Sequence, residues 1–539
     1  MNSISFNNFR RFKNFDPINF GGITFLVGRN NSGKSTIVKA VTLLNNYFKS
    51  ENFHHFHFGN TILEDVNIVT YGRAKYSHAK ENIIEFTCGV ENYFIKIQLT
   101  GEDENAYANV HSLTVEDTQK GLLFAFHLQN GIVKISQDTV KLNPKRQINF
   151  AEWLEKEIIK NSIELDKMIN INYTNKISKD YIELASLIEN LNKKKKILNN
   201  SNIDINQKFK PAPVFEFEVI IDPRLTIKEQ INAAVNQAKS DYNFGFRRLQ
   251  KGHSPVENFE NLKAMKEYGF HKVASSFIQF ISLVNNNSII YMGAGSAKQS
   301  ALFAIRDKKN PLAQAIHDYK LCAIQKGEKE HRFVLKWMRE FEIGEDISIS
   351  MHAGEAYELQ IYSNGKFVQI ADKGMGSIQA MLFILRMACI IRSVSKFKSD
   401  LEITRYHGEW QELNTNIVFS PPNKLVIIEE PELNLHPALQ SKLADFFLEI
   451  HKEYGVKFLI ETHSEYILRK SQVIVAENEL APNENPFCVY YLPKDIGHLP
   501  YQLKYQPDGT FDKNFGNGFF DEASSSTLEL LKIKRQKKD

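Results

Sequence analysis

The spacing of apolar residues at the start of the chain predicts a strand, a loop and a helix in that order. Apolar and polar residues alternate around Ile4, Phe6 and Phe9, and the run ITFLVG follows them, as expected for strands. The segment TIVKAVTLLNNYF comes after a short polar loop and has its apolar residues at helical spacing. The chain therefore opens with a strand-loop-helix unit.

The middle of the chain changes from strand patterns to helical ones. Residues of roughly 60–145 contain the strand-like runs ILEDVNIVTY, NIIEFTCGV, YFIKIQLT, LLFAFHL and IVKIS. From about Asn149, apolar residues recur at helical spacing with Lys and Glu between them, and VFEFEVIID at 214–222 interrupts this pattern as a strand-like run. Heptads are not sustained, so we predict a mainly helical insertion and not a long coiled-coil arm.

Strands and helices alternate again in the last third of the chain. Strand-like ISISM, YELQIYS and KFVQIA lie around 347–371, and a long helix is expected from Ser377. The strand KLVIIEE, a helix from Pro437 and the strand KFLIETH follow. We therefore predict an α/β fold, a mixed sheet with flanking helices that is interrupted by the insertion. The predicted divisions are an N-terminal lobe at 1–148, the insertion as a partner or dimer surface at 149–334, a C-terminal lobe at 335–520 and a tail at 521–539.

Composition is that of an ordinary soluble globular protein. The 539 residues are 42% hydrophobic and 24% charged, and a net charge of +4 neither indicates nor excludes a nucleic-acid surface. The N-terminus has no apolar signal segment, and the apolar run MLFILRMACII is short and contains Arg386, so a core helix explains it better than a membrane span. We expect a cytoplasmic protein without a membrane partner. Neither a zinc site nor a disulfide framework is supported by the widely separated cysteines, Cys88, Cys322, Cys389 and Cys488.

The sequence GRNNSGKST at 28–36 matches the phosphate-binding pattern G-x-x-x-x-G-K-[ST] in full. Gly28 and Gly33 permit positive φ, so that backbone N–H groups point at phosphate oxygens, while Lys34 and the helix N-terminus add positive charge. Ser35 is expected to bind Mg²⁺ through its hydroxyl. We predict ATP and Mg²⁺ as cofactors, and a nucleotide site made by Gly28, Arg29, Asn30, Asn31, Ser32, Gly33, Lys34, Ser35 and Thr36.

The apolar run LVII ends in two glutamates, Glu429 and Glu430, which is costly for a buried strand unless a cation lies nearby. The Mg²⁺ of a bound nucleotide supplies that cation if the acidic strand end lies beside the phosphate loop. On this interpretation Glu429 faces the metal, and Glu430 orients and deprotonates the attacking water. The strand KFLIETH then brings His463, whose imidazole we expect to hydrogen-bond the γ-phosphate. The alternative, an acidic surface loop, fits poorly with the apolar LVII.

A second anion site is predicted far from the first, at ADKGMGSIQ. Gly374 and Gly376 form a tight turn, and Ser377 stands where the N-cap of an apolar-faced helix belongs. On its own this is an ordinary helix cap. Because the phosphate loop already supplies one phosphate site, a second one predicts that the nucleotide is held between two copies of the chain, in a head-to-tail dimer.

These four elements, in this order, resemble the ABC-type ATPase heads of the SMC, RecF and OLD-like group. The opening NFRRFKNF with VGRNNSGKST, and the stretch EEPELNLHP, carry the resemblance, which covers residues 1–100 and about 335–520. The signature sequence of that group is L-S-G-G-Q, and this chain has G-M-G-S-I-Q in its place. Within the group, DKGMGSIQ and the closing GNGFFDE are most similar to AAA-family ATPases of prokaryotic antiviral defence, such as Septu-type and retron-associated ATPases.

The resemblance implies a role for each element of the site. The implied assignments are Glu429 as the Walker B residue, Glu430 as the catalytic base, His463 as the switch histidine, Gly376 with Ser377 as the signature that contacts ATP in trans, and Arg10 or Arg11 near the nucleotide.

The resemblance also implies partners. It predicts an ATP-hydrolysing subunit of an anti-phage complex that dimerises around ATP, with a higher oligomer left open, and controls a separate effector, for which an HNH-type nuclease is expected. Nucleic acid, either DNA or retron RNA/DNA, is left open as a further partner.

Two alternatives remain at this stage. A DNA-repair or recombination ATPase would bind duplex DNA directly, through KKKK at 193–196 and FRRLQKGH at 246–253, although lysine runs on helices are usually solvated. A self-contained nuclease would need a metal site, for which HHFHF at 54–58 is the candidate. No carboxylate set accompanies these histidines, and aromatic packing explains them better.

Overall fold

The structure is a computed structural model of the chain, and it forms two compact units. The first unit comprises residues 1–91, 99–109 and 282–539, and the second comprises 92–98 and 110–281. Most of the predicted insertion, the lysine-rich stretches in it and most of the predicted tail lie outside the described residues. The described residues are 1–50, 54–59, 68–91, 93–117, 121–129, 132–138, 214–220, 289–294, 298–307, 309–406, 424–494 and 498–515, with short helical pieces between 158 and 192 and between 526 and 530.

The described helices and strands are numbered in chain order. The strands are β1 (Ser3–Phe9), β2 (Phe12–Asn19), β3 (Ile23–Gly28), β4 (His55–His57), β5 (Ile84–Val90), β6 (Tyr93–Thr100), β7 (Tyr107–Asp117), β8 (Gly121–Gln129), β9 (Ile132–Asp138), β10 (Val214–Ile220), β11 (Ile289–Met292), β12 (Phe303–Ala304), β13 (Asp346–His352), β14 (Ala356–Ser363), β15 (Lys366–Gln369), β16 (Leu425–Glu429), β17 (Lys457–Glu461), β18 (Phe487–Leu492) and β19 (Tyr501–Leu503). The helices are α1 (Lys34–Lys49), α2 (Tyr71–Ala74), α3 (Pro311–Leu321), α4 (Lys329–Glu340), α5 (Met375–Tyr406), α6 (Pro437–Tyr454) and α7 (Glu465–Glu477).

The first unit contains a six-stranded sheet with the order β11-β16-β17-β3-β18-β19. In this sheet β11, β16, β17, β3 and β18 run parallel to one another, and β19 is antiparallel to β18. Every residue of β3 and β18 is buried, as expected for parallel strands that are covered on both faces. The predicted α/β fold with a mixed sheet and flanking helices is confirmed.

The sheet order corrects one expectation about the acidic strand. β16, which ends at Glu429, is not the direct neighbour of the phosphate-loop strand β3, because β17 hydrogen-bonds to both and lies between them. In register, Glu461 pairs with Glu429 on one side and with Leu26 on the other. The carboxylate on the strand next to the phosphate loop therefore belongs to Glu461.

The C-terminal boundary of the insertion also differs from the prediction. The range 149–334 includes β11, whose residues pair with Leu425–Ile428 of β16. Side chains of α3 and α4 lie in the core that contains this sheet. The first unit accordingly resumes at Ser282, because the short strand β11 completes the edge of its central sheet.

Helix α5 is the apolar helix expected in the core. Its segment Met375–Ser395 is long and apolar enough to cross a membrane, alone among the described helices, and 72% of its most apolar window is buried. Met381 and Leu385 are fully buried in the core of the first unit. The prediction of a core helix is confirmed. The helix begins at Met375, so Ser377 lies inside the first turn, where its N–H donates to the carbonyl of Gly374 at 2.9 Å, and does not occupy the predicted capping position.

Two further helices begin where local chemistry favours a start. α6 follows His436, whose Nδ1 accepts from the N–H of Ala438 at 3.3 Å, and has Pro437 at its first position. α7 follows Ser464, whose hydroxyl accepts from the N–H of Ile467 at 3.3 Å. The predicted helix start at Pro437 is confirmed, and α7 begins two residues after His463 of the predicted site.

Antiparallel strand pairs complete the described parts. In the first unit, β1 pairs with β2 and β5, while β12, β13 and β15 pair with β14. In the second unit, β8 pairs with residues 112–117 and with β9, and β9 pairs with β10. Of the strand-like run ILEDVNIVTY only the end is described, and there Tyr71 begins α2 instead of continuing a strand.

Candidate nucleotide site

The predicted site residues meet at the C-terminal edge of the central sheet. β3, β17 and β16 are adjacent and parallel, so the segments that follow them leave the same edge. These segments are the phosphate loop at 28–36, Thr462 with His463, and Glu430 with the loop after it. Ligands of open α/β sheets bind at this edge.

The two glycines of the phosphate loop occupy positions that exclude a side chain. Gly28 has φ 152°, and a Cβ there would lie 2.4 Å from the carbonyl oxygen of Leu492. Gly33 has φ 104°, and a Cβ there would lie 2.6 Å from the ring of Phe12. Both values are in the region that favours glycine, so the backbone can approach a bound group closely.

A buried hydroxyl in the same loop has no partner within the described structure. Ser32 is 1% exposed, and its Oγ makes no hydrogen bond. Leaving a buried hydroxyl unpaired is costly, and native proteins seldom do so. A phosphate oxygen in the loop would provide the missing acceptor.

Lys34 is buried and points back over the loop. Its Nζ donates to the carbonyls of Gly28 at 3.0 Å and Arg29 at 3.3 Å, and lies 3.7 Å from Oε1 of Glu461. Burial lowers the pKa of Lys34, and the charge of Glu461 opposes that shift. The ammonium is thus held at the mouth of the loop, where a phosphate would meet it.

Glu461 is the first candidate site residue to which the sequence motifs gave no role. The hydroxyl of Ser35 lies 3.1 and 3.2 Å from its two carboxylate oxygens, and the side chain is buried. Burial raises the pKa of Glu461 to about 7, and the charge of Lys34 only partly opposes this. A signal was present in the sequence, because KFLIE is a second apolar strand that ends in a carboxylate.

Glu429 lies one strand further from the phosphate loop. The hydroxyl of Tyr291 on β11 donates to its Oε2 at 3.1 Å. Burial raises the pKa of Glu429, while the bond from Tyr291 favours the charged form. The carboxylate is therefore oriented by the edge strand of the sheet.

Glu430 turns the chain sharply away from β16. Its φ is 48°, a left-handed value that non-glycine residues rarely adopt. Its N–H donates to the carbonyl of Glu461 at 2.8 Å, and its carbonyl accepts from the N–H of Leu433 at 3.1 Å. Backbone strain of this kind is concentrated at functional sites, where the surrounding structure holds it.

Glu432 is the second residue that the motif search left without a role. Its carboxylate accepts from the hydroxyl of Thr462 at 2.8 Å and from the backbone N–H of His463 at 2.6 Å. Burial raises the pKa of Glu432, and these two donors oppose the shift. Burial lowers the pKa of His463, and so does the charge of Lys34, which favours the neutral imidazole.

The start of α5 packs against the loop that follows Glu430. A Cβ on Gly376 would lie 2.8 Å from the carbonyl oxygen of Asn434, whereas a Cβ on Gly374 would meet nothing within 4 Å. Gly376 of the predicted signature is thus in contact with the acidic loop of its own chain. Their contact with a nucleotide on a second copy stays a prediction.

Of the two N-terminal arginines, Arg11 contacts the phosphate loop. Its guanidinium donates to the carbonyl of Asn31 and, at 2.7 Å, to the carbonyl of Lys494. Arg10 instead lies beside α2, where its N–H donates to the carbonyl of Ala74 at 2.7 Å. This geometry favours Arg11 as the arginine near a nucleotide.

The histidine-rich run at 54–58 is built into an aromatic cluster. Phe56 and Phe58 are fully buried with ring centroids 5.3 Å apart, and His55 packs edge-on against Tyr107 at 4.7 Å. No group of three or more His, Cys, Asp or Glu able to hold a metal occurs in the described ranges. Aromatic packing explains these residues.

The residues at the sheet edge fit a nucleotide with a divalent cation. The loop has backbone exposed by two glycines, a buried lysine and an unpaired hydroxyl for phosphate, and the hydroxyl of Ser35 and the carboxylate of Glu429 are hard oxygen donors of the kind that Mg²⁺ prefers. The fold and this site define an α/β P-loop ATPase. The chain belongs to the AAA ATPase domain family, whose family model matches residues 1–468.

Comparison with solved structures finds SMC head domains. The Smc head domain of Pyrococcus furiosus, bound to the C-terminal domain of ScpA, is 11% identical, with 99% of each chain covered and a TM-score of 0.34. The Smc head domain of Pyrococcus yayanosii is 10% identical, with 94% of this chain and 97% of that chain covered and a TM-score of 0.34. The SMC head domain of Thermotoga maritima is 7% identical, with 94% and 98% covered and a TM-score of 0.32. These TM-scores are too low to support a further conclusion. No curated protein matches the chain.

Proposed function

We propose that the chain binds ATP with Mg²⁺ at the phosphate loop and hydrolyses it, in a dimer that forms around the nucleotide. The observation that carries this proposal is the convergence of three elements at one sheet edge: the phosphate loop, the strand end with Glu429 and Glu430, and the strand end with His463. These elements supply the phosphate contacts, carboxylates and imidazole that phosphoryl transfer to water requires.

The proposed roles follow from what each side chain contacts. Lys34 moves its charge from the loop carbonyls to the β- and γ-phosphates, and Ser35 and Glu429 hold the cation. When bound, the cation would supply positive charge that offsets the negative charge of the phosphates. Glu430 takes the proton of the attacking water, and His463 donates to the γ-phosphate.

The dimer proposal concerns the start of α5. Gly374, Gly376 and Ser377 present a helix N-terminus, where backbone N–H groups and the helix dipole favour an anion. A γ-phosphate bound in a second copy is the proposed anion. A higher oligomer built from such dimers is compatible with this contact.

The finer proposal is a cytoplasmic switch in prokaryotic antiviral defence, in which ATP controls a separate effector such as an HNH-type nuclease. It is supported by the similarity of DKGMGSIQ and GNGFFDE to ATPases of that kind. Co-purification of a nuclease with the chain, released or activated by a change of nucleotide, is the result expected.

Direct binding of DNA or of retron RNA/DNA is the second candidate. The observation that favours it is a group of basic residues beside the phosphate-loop helix. Burial and the charge of Arg73 lower the pKa of Arg10, and burial and the charge of Arg10 lower the pKa of Lys39, while the charges of Glu429 and Glu461 raise it. A steep fall of nucleic-acid affinity with salt is expected if these basic residues contact phosphates.

The experiment that tests the main proposal uses the purified chain. Phosphate release from ATP is measured with Mg²⁺ and with EDTA, and molar mass is measured by light scattering with and without ATP. We expect Mg²⁺-dependent release and a doubling of mass with ATP. Phosphate release that does not exceed the background with Mg²⁺, or a molar mass that ATP does not change, contradicts the proposal.

A further inference from the structure

Glu461 contacts the phosphate loop directly from the end of β17. Its two oxygens lie 3.1 and 3.2 Å from the hydroxyl of Ser35, and Oε1 lies 3.7 Å from Nζ of Lys34. The residue is 6% exposed. A carboxylate this deeply buried requires positive charge or several donors to remain ionised.

Glu461 also shares its side of the sheet with Glu429. The two residues are paired in register on adjacent parallel strands. Paired residues project to the same side of a sheet, and neighbouring strands lie about 4.8 Å apart. Two carboxylates therefore project from the same side of adjacent strands, and that of Glu461 contacts the hydroxyl of Ser35.

The ammonium of Lys34 now offsets the charge of Glu461, but it faces the phosphates when a nucleotide binds. In the part of the chain that the structure describes, Lys34 is the ion-pair partner of Glu461. The proposed function turns that ammonium toward the phosphates. Glu461 would then face bound phosphate as a buried carboxylate without a positive partner, and a cation between them would supply the missing charge.

We propose that Glu461 is a metal-facing carboxylate and that it forms the binding site of the divalent cation together with Ser35 and Glu429. This inference rests on the proposed function and adds to it a ligand from the strand between the phosphate loop and the acidic strand. Carboxylate and hydroxyl oxygens are the ligands that Mg²⁺ and Mn²⁺ prefer. The competing explanation is that Glu461 only balances the charge of Lys34.

The test compares wild type with E461Q and with the matched control E465Q. Glu465 lies four residues further on, at the start of α7, where it pairs with Arg469 at the surface, so E465Q removes the same charge without touching Ser35. Mn²⁺ binding to the ADP complex is measured by electron paramagnetic resonance. ADP binding in EDTA is measured by calorimetry.

We expect E461Q to weaken Mn²⁺ binding about tenfold or more, since loss of groups that build a metal site typically costs 10- to 100-fold in metal affinity. E465Q should stay within about twofold of wild type. In EDTA, E461Q should bind ADP as tightly as wild type or more tightly, because Lys34 loses its competing partner. An Mn²⁺ affinity of E461Q within about twofold of wild type overturns the inference.

E461D serves as the second variant in case E461Q does not fold. It keeps the charge that balances Lys34 but draws the carboxylate back by one methylene. Weakened Mn²⁺ binding supports a metal-facing role, and unchanged Mn²⁺ binding contradicts it. If the wild-type chain binds no ADP even in EDTA, the proposed function fails, and this inference with it. If wild type binds Mn²⁺-ADP and the Glu461 variants match it, the inference alone fails.

Discussion

The carboxylate of Glu432 holds the backbone of His463. One of its oxygens accepts the N–H of His463 at 2.6 Å, and the other accepts the hydroxyl of Thr462 at 2.8 Å. Thr462 is fully buried, so its hydroxyl cannot turn to water instead. These two hydrogen bonds connect the loop after β16 to the end of β17. The proposed contact of His463 with the γ-phosphate depends on them.

Glu432→Ala is therefore expected to destabilise the fold and to slow turnover. The buried hydroxyl of Thr462 loses its acceptor, which costs about 1–3 kcal/mol, and the N–H of His463 loses its hydrogen bond as well. Glu432→Gln keeps one acceptor oxygen and should recover part of both losses. Urea unfolding and the rate of phosphate release measure the effects. Glu477→Ala, which removes an exposed carboxylate at the end of α7, is the control and should match wild type.

Glu430→Gln should separate binding from chemistry. The variant keeps the shape of the side chain but cannot accept a proton, and a general base contributes about 10²–10⁴-fold to rate. We expect ATP affinity near that of wild type, turnover slowed by about a hundredfold or more, and an ATP-bound dimer that persists in light scattering. Hydrolysis at the wild-type rate would remove Glu430 from the role of base.

Lys34→Ala should abolish nucleotide binding at working concentrations. A charge-assisted hydrogen bond is worth about 1.5–3 kcal/mol, so each one lost weakens binding roughly 10- to 100-fold. Calorimetric titration with ATP measures the change. Lys49→Ala removes an exposed lysine from the last turn of the same helix and should leave the affinity unchanged. Equal affinity of Lys34→Ala and wild type would contradict the phosphate-loop assignment.

Two glycines at the start of α5 allow a controlled comparison of alanine substitutions, one at a packed position and one at an open position. A methyl group at Gly376 would lie 2.8 Å from the carbonyl oxygen of Asn434, while one at Gly374 would lie in open space. Gly376→Ala should lower the free energy of unfolding by about 1–3 kcal/mol, the usual cost of forcing an extra group into a packed site. Gly374→Ala should leave it unchanged. Thermal and urea unfolding of both variants measure the difference, and equal stabilities would contradict the packing of Gly376 on Asn434.

A buried histidine should make stability depend on pH. Nδ1 of His451 donates to the carbonyl of Val456 at 2.8 Å, and burial lowers the pKa of its imidazole. The unfolded chain, with a histidine pKa of about 6.5, then takes up protons before the folded chain does as pH falls. Stability contributed by this residue is complete above about pH 7 and declines through about pH 6.5 toward the lowered folded pKa.

The measurement compares urea unfolding of wild type and His451→Gln between pH 5.5 and 8. One proton taken up on unfolding changes the free energy of unfolding by at most about 1.4 kcal/mol per pH unit. We expect the difference between the two proteins to shrink as pH falls. A difference that does not vary with pH would show that His451 is not buried in its neutral form.

The sequence predicts the fold well where a motif and its flanking periodicity agree. The phosphate loop has a strand before it and a helix after it, as predicted, and α1 begins at Lys34, two residues before the segment TIVKAVTLLNNYF. β11 escapes prediction because its four residues carry no periodicity, and its parallel partner β16 lies far along the chain. Strand order in a parallel sheet is decided by such distant pairings.

The site is predicted less completely than the fold, for the same reason. Glu461 acquires its importance from the position of β17 between β3 and β16, which no local pattern reveals. Glu432 acquires its role from donors on a separate segment. Ser377 is misplaced as a cap because the helix starts at Met375, and the side chain of a single residue does not determine where a helix begins.

The open space at Gly374 is a suitable place for a fluorescent label that reports on the start of α5. A cysteine placed there can carry a fluorescent dye, since nothing lies within 4 Å of the position where its side chain would start. The dye would sit two residues from Gly376 and its close packing on Asn434. Its emission could then report, in real time, when the start of α5 becomes covered by another molecule and when it is uncovered again.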